Sequence, residues 1–290
     1  MFLMRNRVGV LVSICLLASL WGCGEDPMVA RKQLTELGLE YDEATFLDRV
    51  QNSDAVAVDL FLKSGMNPNL STRFELERGE RLEFATPLMI AAWKGDHALA
   101  ERLLAAGAEP GTIADNDVSA LACAVVKNHE SIVELLLKQG LTQESKDHAL
   151  KLALRENNEE AAQLLERAGA DPRMAARLRN QRLQRTAMAD LRSMGTAVEE
   201  HSIDHNRYPE ASSVGELAQS VSPMYIRRLP TVDPWGNPYE IRSTSDAYSL
   251  RCLGQDGKPT EPRYGATEDP DADIIFENGS FTQWPVEVRK

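Results

Sequence analysis

Residues 85–111, ATPLMIAAWKGDHALAERLLAAGAEPG, constrain the fold of this chain more than any other stretch. Thr86-Pro87-Leu88 opens a short helix, Gly95-Asp96-His97 turns the chain, and Ala98–Ala106 makes a second helix that stops at Gly107. The same ending recurs at Leu62-Lys63-Ser64-Gly65, Leu137-Lys138-Gln139-Gly140 and Glu166-Arg167-Ala168-Gly169, with successive glycines 42, 33 and 29 residues apart. Glycine suits the residue just past a helix because it accepts a left-handed backbone there. A helix pair this small cannot bury its apolar face alone, so its neighbours must stack on it.

This stretch resembles an ankyrin repeat almost position for position, with Met89 where family members carry His in TPLH. A first unit runs over Thr45–Asn69, with its second helix at Ala55–Lys63. A third covers Ser119–Gly140. A fourth, Lys146–Pro172, is shorter and more polar, as a terminal cap should be. The resemblance implies a protein-binding scaffold with no chemistry of its own. His97 and His129 both sit at the family's turn histidine and are expected to hydrogen-bond backbone between repeats. Cys123 falls at a small core position.

The long interval holds Ser71–Phe84, STRFELERGERLEF, which alternates Phe74, Leu76, Leu82 and Phe84 with charged residues about Arg78-Gly79. Alternation about a glycine predicts a β-hairpin, here one extended ankyrin finger. Fingers and inner helices form the concave binding surface of such arrays, so Phe74, Leu76, Leu82, Phe84 and Trp93 are the candidate partner contacts. A solvated finger and a packed Trp93 are the competing readings.

At the N-terminus Arg5 and Arg7 precede an apolar run, Val8–Leu20, and the sequence Leu20-Trp21-Gly22-Cys23. That is the layout of a secretory leader, too short to span a bilayer. It resembles a bacterial lipobox, which implies cleavage after Gly22 and lipidation of Cys23, with Gly24 favouring the outer membrane. Several acyl chains on one cysteine suffice for stable anchoring. The net charge of −12 becomes −14 once the leader's two arginines are gone. Such an acidic chain lacks the basic footprint that nucleic acid demands.

Beyond Pro172 the spacing of Met174, Leu178, Leu183, Ala187, Leu191, Met194 and Val198 predicts one helix from Arg173 to Asn206, about 50 Å long. Its first half carries Arg173, Arg177, Arg179, Arg182 and Arg185 and reads as a solvated bridge. His201 and His205, one turn apart, could ligate zinc. Next come Asn206-Arg207-Tyr208-Pro209, Leu229-Pro230, Asp233-Pro234-Trp235-Gly236-Asn237-Pro238-Tyr239, Leu253-Gly254-Gln255-Asp256-Gly257 and Asp271-Ala272-Asp273-Ile274. In that order, over residues 185–276, they resemble the periplasmic domain of the major pseudopilin of type II secretion. Pro234 and Pro238 fix φ and Gly236 permits a tight turn, so the block should present Trp235 and Tyr239 to the long helix. Glu240–Arg242 and Tyr248–Arg251 read as strands of a small antiparallel sheet, joined by Ile274–Glu277 and Phe281–Val288.

The pseudopilin resemblance implies a calcium site made by the Leu253 carbonyl, Asp256, Asp271 and Asp273, since hard oxygens in a flexible loop suit that ion. Two features depart from the family. Cys252 stands where a serine ligand is expected, and the loop Gly257–Pro270 is longer. The polymerising apolar helix of pseudopilins also has no counterpart, its place being taken by the arginine-rich segment. The expectation is therefore a leader (1–22), a tether (23–29), an all-α ankyrin solenoid (30–172) and an α+β head (173–290). No nucleophile elbow, P-loop, HExxH or dinucleotide fingerprint occurs, so no enzyme is expected. The function expected is a non-catalytic, lipid-anchored periplasmic scaffold tied to secretion or pilus-type machinery. The alternative is a calcium-stabilised envelope adaptor unrelated to secretion.

Overall fold

The computed structural model describes residues 26–76, 81–269 and 271–286. Cys23 and the leader lie outside the described residues, as do the Arg78-Gly79 tip of the hairpin and the last part of the strand expected over Phe281–Val288. The chain divides into two compact units, the first ending at Asp171 and the second starting at Pro172.

The first unit is a helical array: α1 (Pro27–Glu36), α2 (Glu43–Gln51), α3 (Ala55–Lys63), α4 (Pro87–Lys94), α5 (His97–Ala105), α6 (Ala120–Val126), α7 (Glu130–Leu137), α8 (Gln143–Arg155) and α9 (Glu159–Arg167). Two rows stack. Helices α2, α4, α6 and α8 touch in succession to form one row, and α1, α3, α5, α7 and α9 form the other. Fully buried Phe46, Leu88, Met89, Ile90 and Leu121 of the first row meet Phe61, Leu99, Leu103, Ile132 and Leu136 of the second. α1 is thus an unpaired outer helix that covers the open end of the first repeat. Its sequence already carries the same stop, since Gly38 sits at φ +71° and Leu39 N–H donates to the Leu34 carbonyl at 2.9 Å.

Local chemistry explains the helix boundaries. The side chains of Asp42, Asp54, Thr86, Asp96, Ser119, Thr142 and Asn158 each accept from the third amide of the helix they precede. At the far ends Gly65, Gly107, Gly140 and Gly169 all have φ between +71° and +95°. After each of Gly65, Gly107 and Gly169 the next amide reaches back to a carbonyl in the last turn, as in Met66 N–H to Phe61 O at 3.0 Å. Between α3 and α4 the chain makes the hairpin β1 (Thr72–Glu75) and β2 (Arg81–Ala85), antiparallel as alternation predicts.

The second unit is built on α10, Pro172–His205, 34 residues long. It is followed by α11 (Val214–Val221) and the strands β3 (Glu240–Ser243), β4 (Tyr248–Cys252), β5 (Gly265–Thr267), β6 (Ile274–Glu277) and β7 (Ser280–Pro285). Sheet order is β3-β4-β6-β7-β5; the first three pairings are antiparallel, while β5 lies parallel to β7. The long loop therefore contributes an edge strand that alternation did not reveal. Ala187, Leu191, Met194 and Val198 of α10 pack with Leu217 of α11 and with Tyr248, Leu250, Ile274 and Phe276 of the sheet. Gly195 marks the closest approach, since a Cβ there would lie 2.2 Å from the Phe276 ring.

Candidate functional site

In the array, backbone geometry sorts the candidate contacts. Between the register pairs Thr72–Ala85 and Phe74–Leu82 the hairpin carries a bulge, so Glu83 and Phe84 together oppose Arg73. Leu82 points into the core and is 2% exposed, which removes it from any partner-facing set. Phe74 and Leu76 are half-buried. Phe84 is 67% exposed and is held at φ +60°. A bulky side chain in that left-handed region costs about 1–2 kcal/mol. Arg73 and Glu83 pair across the hairpin at 2.8 Å.

Trp93 is half-buried, with the Lys127 ammonium 4.9 Å from its ring centre. Its carbonyl lies 3.2 Å from His129 Nε2, the backbone bond between repeats that the turn histidine was expected to make. His129 alone among the capping positions of α2 to α9 makes no side-chain cap, because its ring is spent on the neighbouring repeat. His97 does not share this role. Counting back 33 residues from His129 reaches Asp96, which caps α5, while His97 Nδ1 faces Glu101 at 3.6 Å along its own helix. The residue that shares it is Asn158: Oδ1 caps Ala161 N–H at 2.9 Å and Nδ2 donates to the Val125 carbonyl at 3.1 Å. Cys123 is buried and unpaired, and burial pushes its thiol up to about 12.

In the head, the DPWGNPY turn closes on Asp233. Its Oδ1 accepts from Trp235 N–H at 3.0 Å and Asn237 N–H at 2.8 Å, while Oδ2 accepts from Cys252 Sγ at 3.2 Å. The turn presents both aromatics to α10, as expected. Trp235 Nε1 donates to Asn180 Oδ1 at 3.0 Å and Tyr239 Oη to Asp190 Oδ2 at 2.9 Å. Tyr248 Oη adds a third tie to Glu199 at 2.9 Å. Burial, more than the adjoining carboxylates, raises the pKa of both phenols, so they act here as hydrogen donors.

The residues weighed as metal ligands take other arrangements. His201 and His205 stack face to face, ring centres 4.1 Å apart and planes within 12°, and His205 Nδ1 bonds the His201 carbonyl. Parallel rings do not converge two nitrogens on one ion. In the calcium loop Asp273 is fully buried, but its Oδ2 lies 3.2 Å from Arg251 Nε and accepts from Thr260 N–H at 3.0 Å. Oδ1 has no hydrogen-bond partner. Asp256 accepts from Lys258 N–H and is exposed, as is Asp271, and Cys252 is committed to Asp233. Calcium takes six to eight oxygens, and among the described residues no cluster of three or more acids, histidines or cysteines is placed to hold a metal. The Leu253, Asp256, Asp271 and Asp273 set does not fit the ion as arranged. The Arg251 guanidinium supplies the positive charge beside the buried carboxylate, and its Nη2 also donates to the Thr260 carbonyl at 3.4 Å.

The class defined by this geometry is a stacked helix-pair scaffold followed by a head in which one long helix is pinned to a small sheet. Comparison with known proteins finds a likeness for each part. Residues 88–176 match the family of ankyrin repeats (3 copies), and residues 174–275 match type II secretion system (T2SS), protein G. The head is similar to type II secretion system core protein G of Aeromonas hydrophila, 31% identical over a region covering 26% of this chain and 62% of that protein. The counterpart from Pseudomonas aeruginosa is likewise 31% identical, covering 30% of this chain and 66% of its own. The chain thus spans just under two thirds of each relative's length.

Proposed function

We propose that the protein is a non-catalytic scaffold of the bacterial cell envelope that binds a protein partner through its ankyrin array and carries a protein G-like head toward secretion or pilus-type machinery. The observation that supports this most is the junction itself: the ankyrin match ends at residue 176 and the protein G match begins at 174 on one continuous chain. In the resemblance, an apolar helix before the head drives polymerisation. Here the corresponding part of α10 is rich in arginine, and no helix among the described residues is long and apolar enough to cross a membrane. The head therefore serves as a docking module and not as a fibre subunit. Lipid attached to Cys23 anchors the chain, on the periplasmic side of the outer membrane. Phe84, strained and exposed on the extended finger, is the anchor for the array's partner.

The test is in-cell crosslinking followed by purification through a C-terminal tag and mass spectrometry. Capture of a secretin, pseudopilins or inner-membrane assembly proteins, lost on Trp235→Ala, supports the secretion reading. Capture only of unrelated envelope proteins, insensitive to Trp235→Ala, makes this an adaptor whose head reports ancestry alone.

A further inference from the structure

The long loop between β4 and β6 is tied down at Thr260 and again at Arg263, in both cases by a buried side chain. At Thr260 the tie is Asp273, which stands just before β6 and is fully buried. Thr260 N–H donates to Asp273 Oδ2 at 3.0 Å, and Asp273 N–H donates to Thr260 Oγ1 at 3.3 Å. Arg251 on β4 closes the ring, its Nη2 donating to the Thr260 carbonyl at 3.4 Å. At Arg263 the tie is Gln283 of β7, which is 1% exposed. Its Oε1 accepts from Arg263 N–H at 2.7 Å, and its Nε2 donates to the Asp273 carbonyl at 2.9 Å. β5 follows directly, with Gly265 as the register partner of Gln283. Both ties therefore meet at Asp273, one at its carboxylate and one at its carbonyl.

A carboxylate buried at such a junction needs a positive charge, because an isolated ion is costly to take out of water. Arg251 supplies it: Nε lies 3.2 Å from Asp273 Oδ2, and the arginine side chain is itself only 19% exposed. A calcium ion at the same carboxylate would stand beside a fixed cation away from bulk water, where like charges repel strongly. Arginine stays charged at any pH a protein meets, so that exclusion does not relax. Cys252, at the place where the resemblance expects a ligand hydroxyl, donates to Asp233 instead. Asp273 Oδ1, buried and without a hydrogen-bond partner, is the acceptor left over. We propose that Arg251 has taken over the part that calcium plays in the resembled family: the head closes its long loop on Asp273 through the arginine, does not need the ion and keeps it out. The proposal rests on the head's likeness to protein G and holds whichever partner the array takes. It also counts against the calcium-stabilised alternative.

The test compares the full wild-type chain with Arg251→Ser and Gln283→Leu, each melted and digested with trypsin in EDTA and in about 5 mM calcium chloride. Wild type should melt within about 1 °C in the two buffers and show no calcium uptake by calorimetry. Arg251→Ser removes charge and bulk but leaves the carboxylates. In EDTA it should melt lower and be cut about tenfold faster at Lys258 and Arg263, because cleavage follows the population of the open loop. Calcium should reverse both changes by binding the closed form in the arginine's place. Gln283→Leu loosens the same loop and leaves the Arg251–Asp273 pair, so its faster cleavage should not respond to calcium. Calcium binding to wild type, or a calcium-dependent rise in its melting temperature, would overturn the proposal. So would an Arg251→Ser protein that calcium leaves as loose, or as unfolded, as EDTA does. An equal calcium response from both variants would overturn it too, since loop release and not the lost charge would then admit the ion.

Discussion

Asn158 does two jobs with one side chain, capping α9 and reaching back to the Val125 carbonyl of the preceding repeat. Losing the cap costs about 1 kcal/mol and losing the cross-repeat bond about another. Asn158→Ala should therefore lower stability in urea by about 2 kcal/mol, and Asn158→Ser, which keeps the cap, by about half of that. Equal, negligible effects would show that the two bonds contribute nothing. Gly195→Ala tests the head at the same scale. Its Cβ would stand 2.2 Å from Phe276, and overpacking of this kind costs about 1–3 kcal/mol. The terminal glycines of the repeats were legible because a left-handed backbone demands glycine locally. Gly195 was not, because its reason is a ring on a distant strand. His97 misled for a related cause: composition at a turn suggests equivalence, whereas the 33-residue register assigns Asp96 to the position.

At the scale of elements, the hairpin, α10 and four of the five head strands follow from periodicity, because alternation and helical spacing are local. Three features did not. β5 exists only through its parallel partner β7, so nothing in its three residues announces it. The start of α11 is local chemistry: Ser213 Oγ accepts from the Glu216 N–H, and the Glu216 carboxylate accepts from the Ser212 N–H, one residue outside the register of a capping box. Gln184 belongs to a segment whose arginines suggest a solvated bridge, and only the fold buries it. The closed loop of the head gives an element-level expectation. Arg251→Gln should destabilise the head by about 3–5 kcal/mol, as when one partner of a buried ion pair is removed. Calcium or a chelator should leave the wild-type melting temperature unmoved, and a calcium-dependent rise would contradict the fit described for Asp273.

The end of α10 supplies a pH expectation. His201 has a lowered pKa, chiefly from burial and then from His205, with Arg207, Asp204 and the ring of Tyr225 also facing it. The unfolded chain then binds the proton more readily than the native one. Its contribution is present above the unfolded value of 6.5 and is lost as pH falls through the lowered native value. Melting temperature should thus drop on acidification below about pH 6.5, and His201→Phe should flatten that slope. A slope unchanged in the variant would assign it to other groups.

For the whole molecule, two family resemblances on one chain could be read from the sequence because each carries its own punctuation, glycine stops in one and the DPWGNPY turn in the other. What the chain binds could not be read that way, since exposure of a single side chain is decided by a bulge. Phe84→Gly should relieve the left-handed strain and leave the melting temperature level or higher while weakening partner capture. The most direct measurement places p-benzoylphenylalanine at position 84 in the full-length protein in its own bacterium, with the same probe at exposed Glu101 on α5 as the comparison. Irradiation should give a discrete envelope-protein adduct from position 84 and none from position 101. No adduct at 84, or the same adducts from both positions, would contradict it.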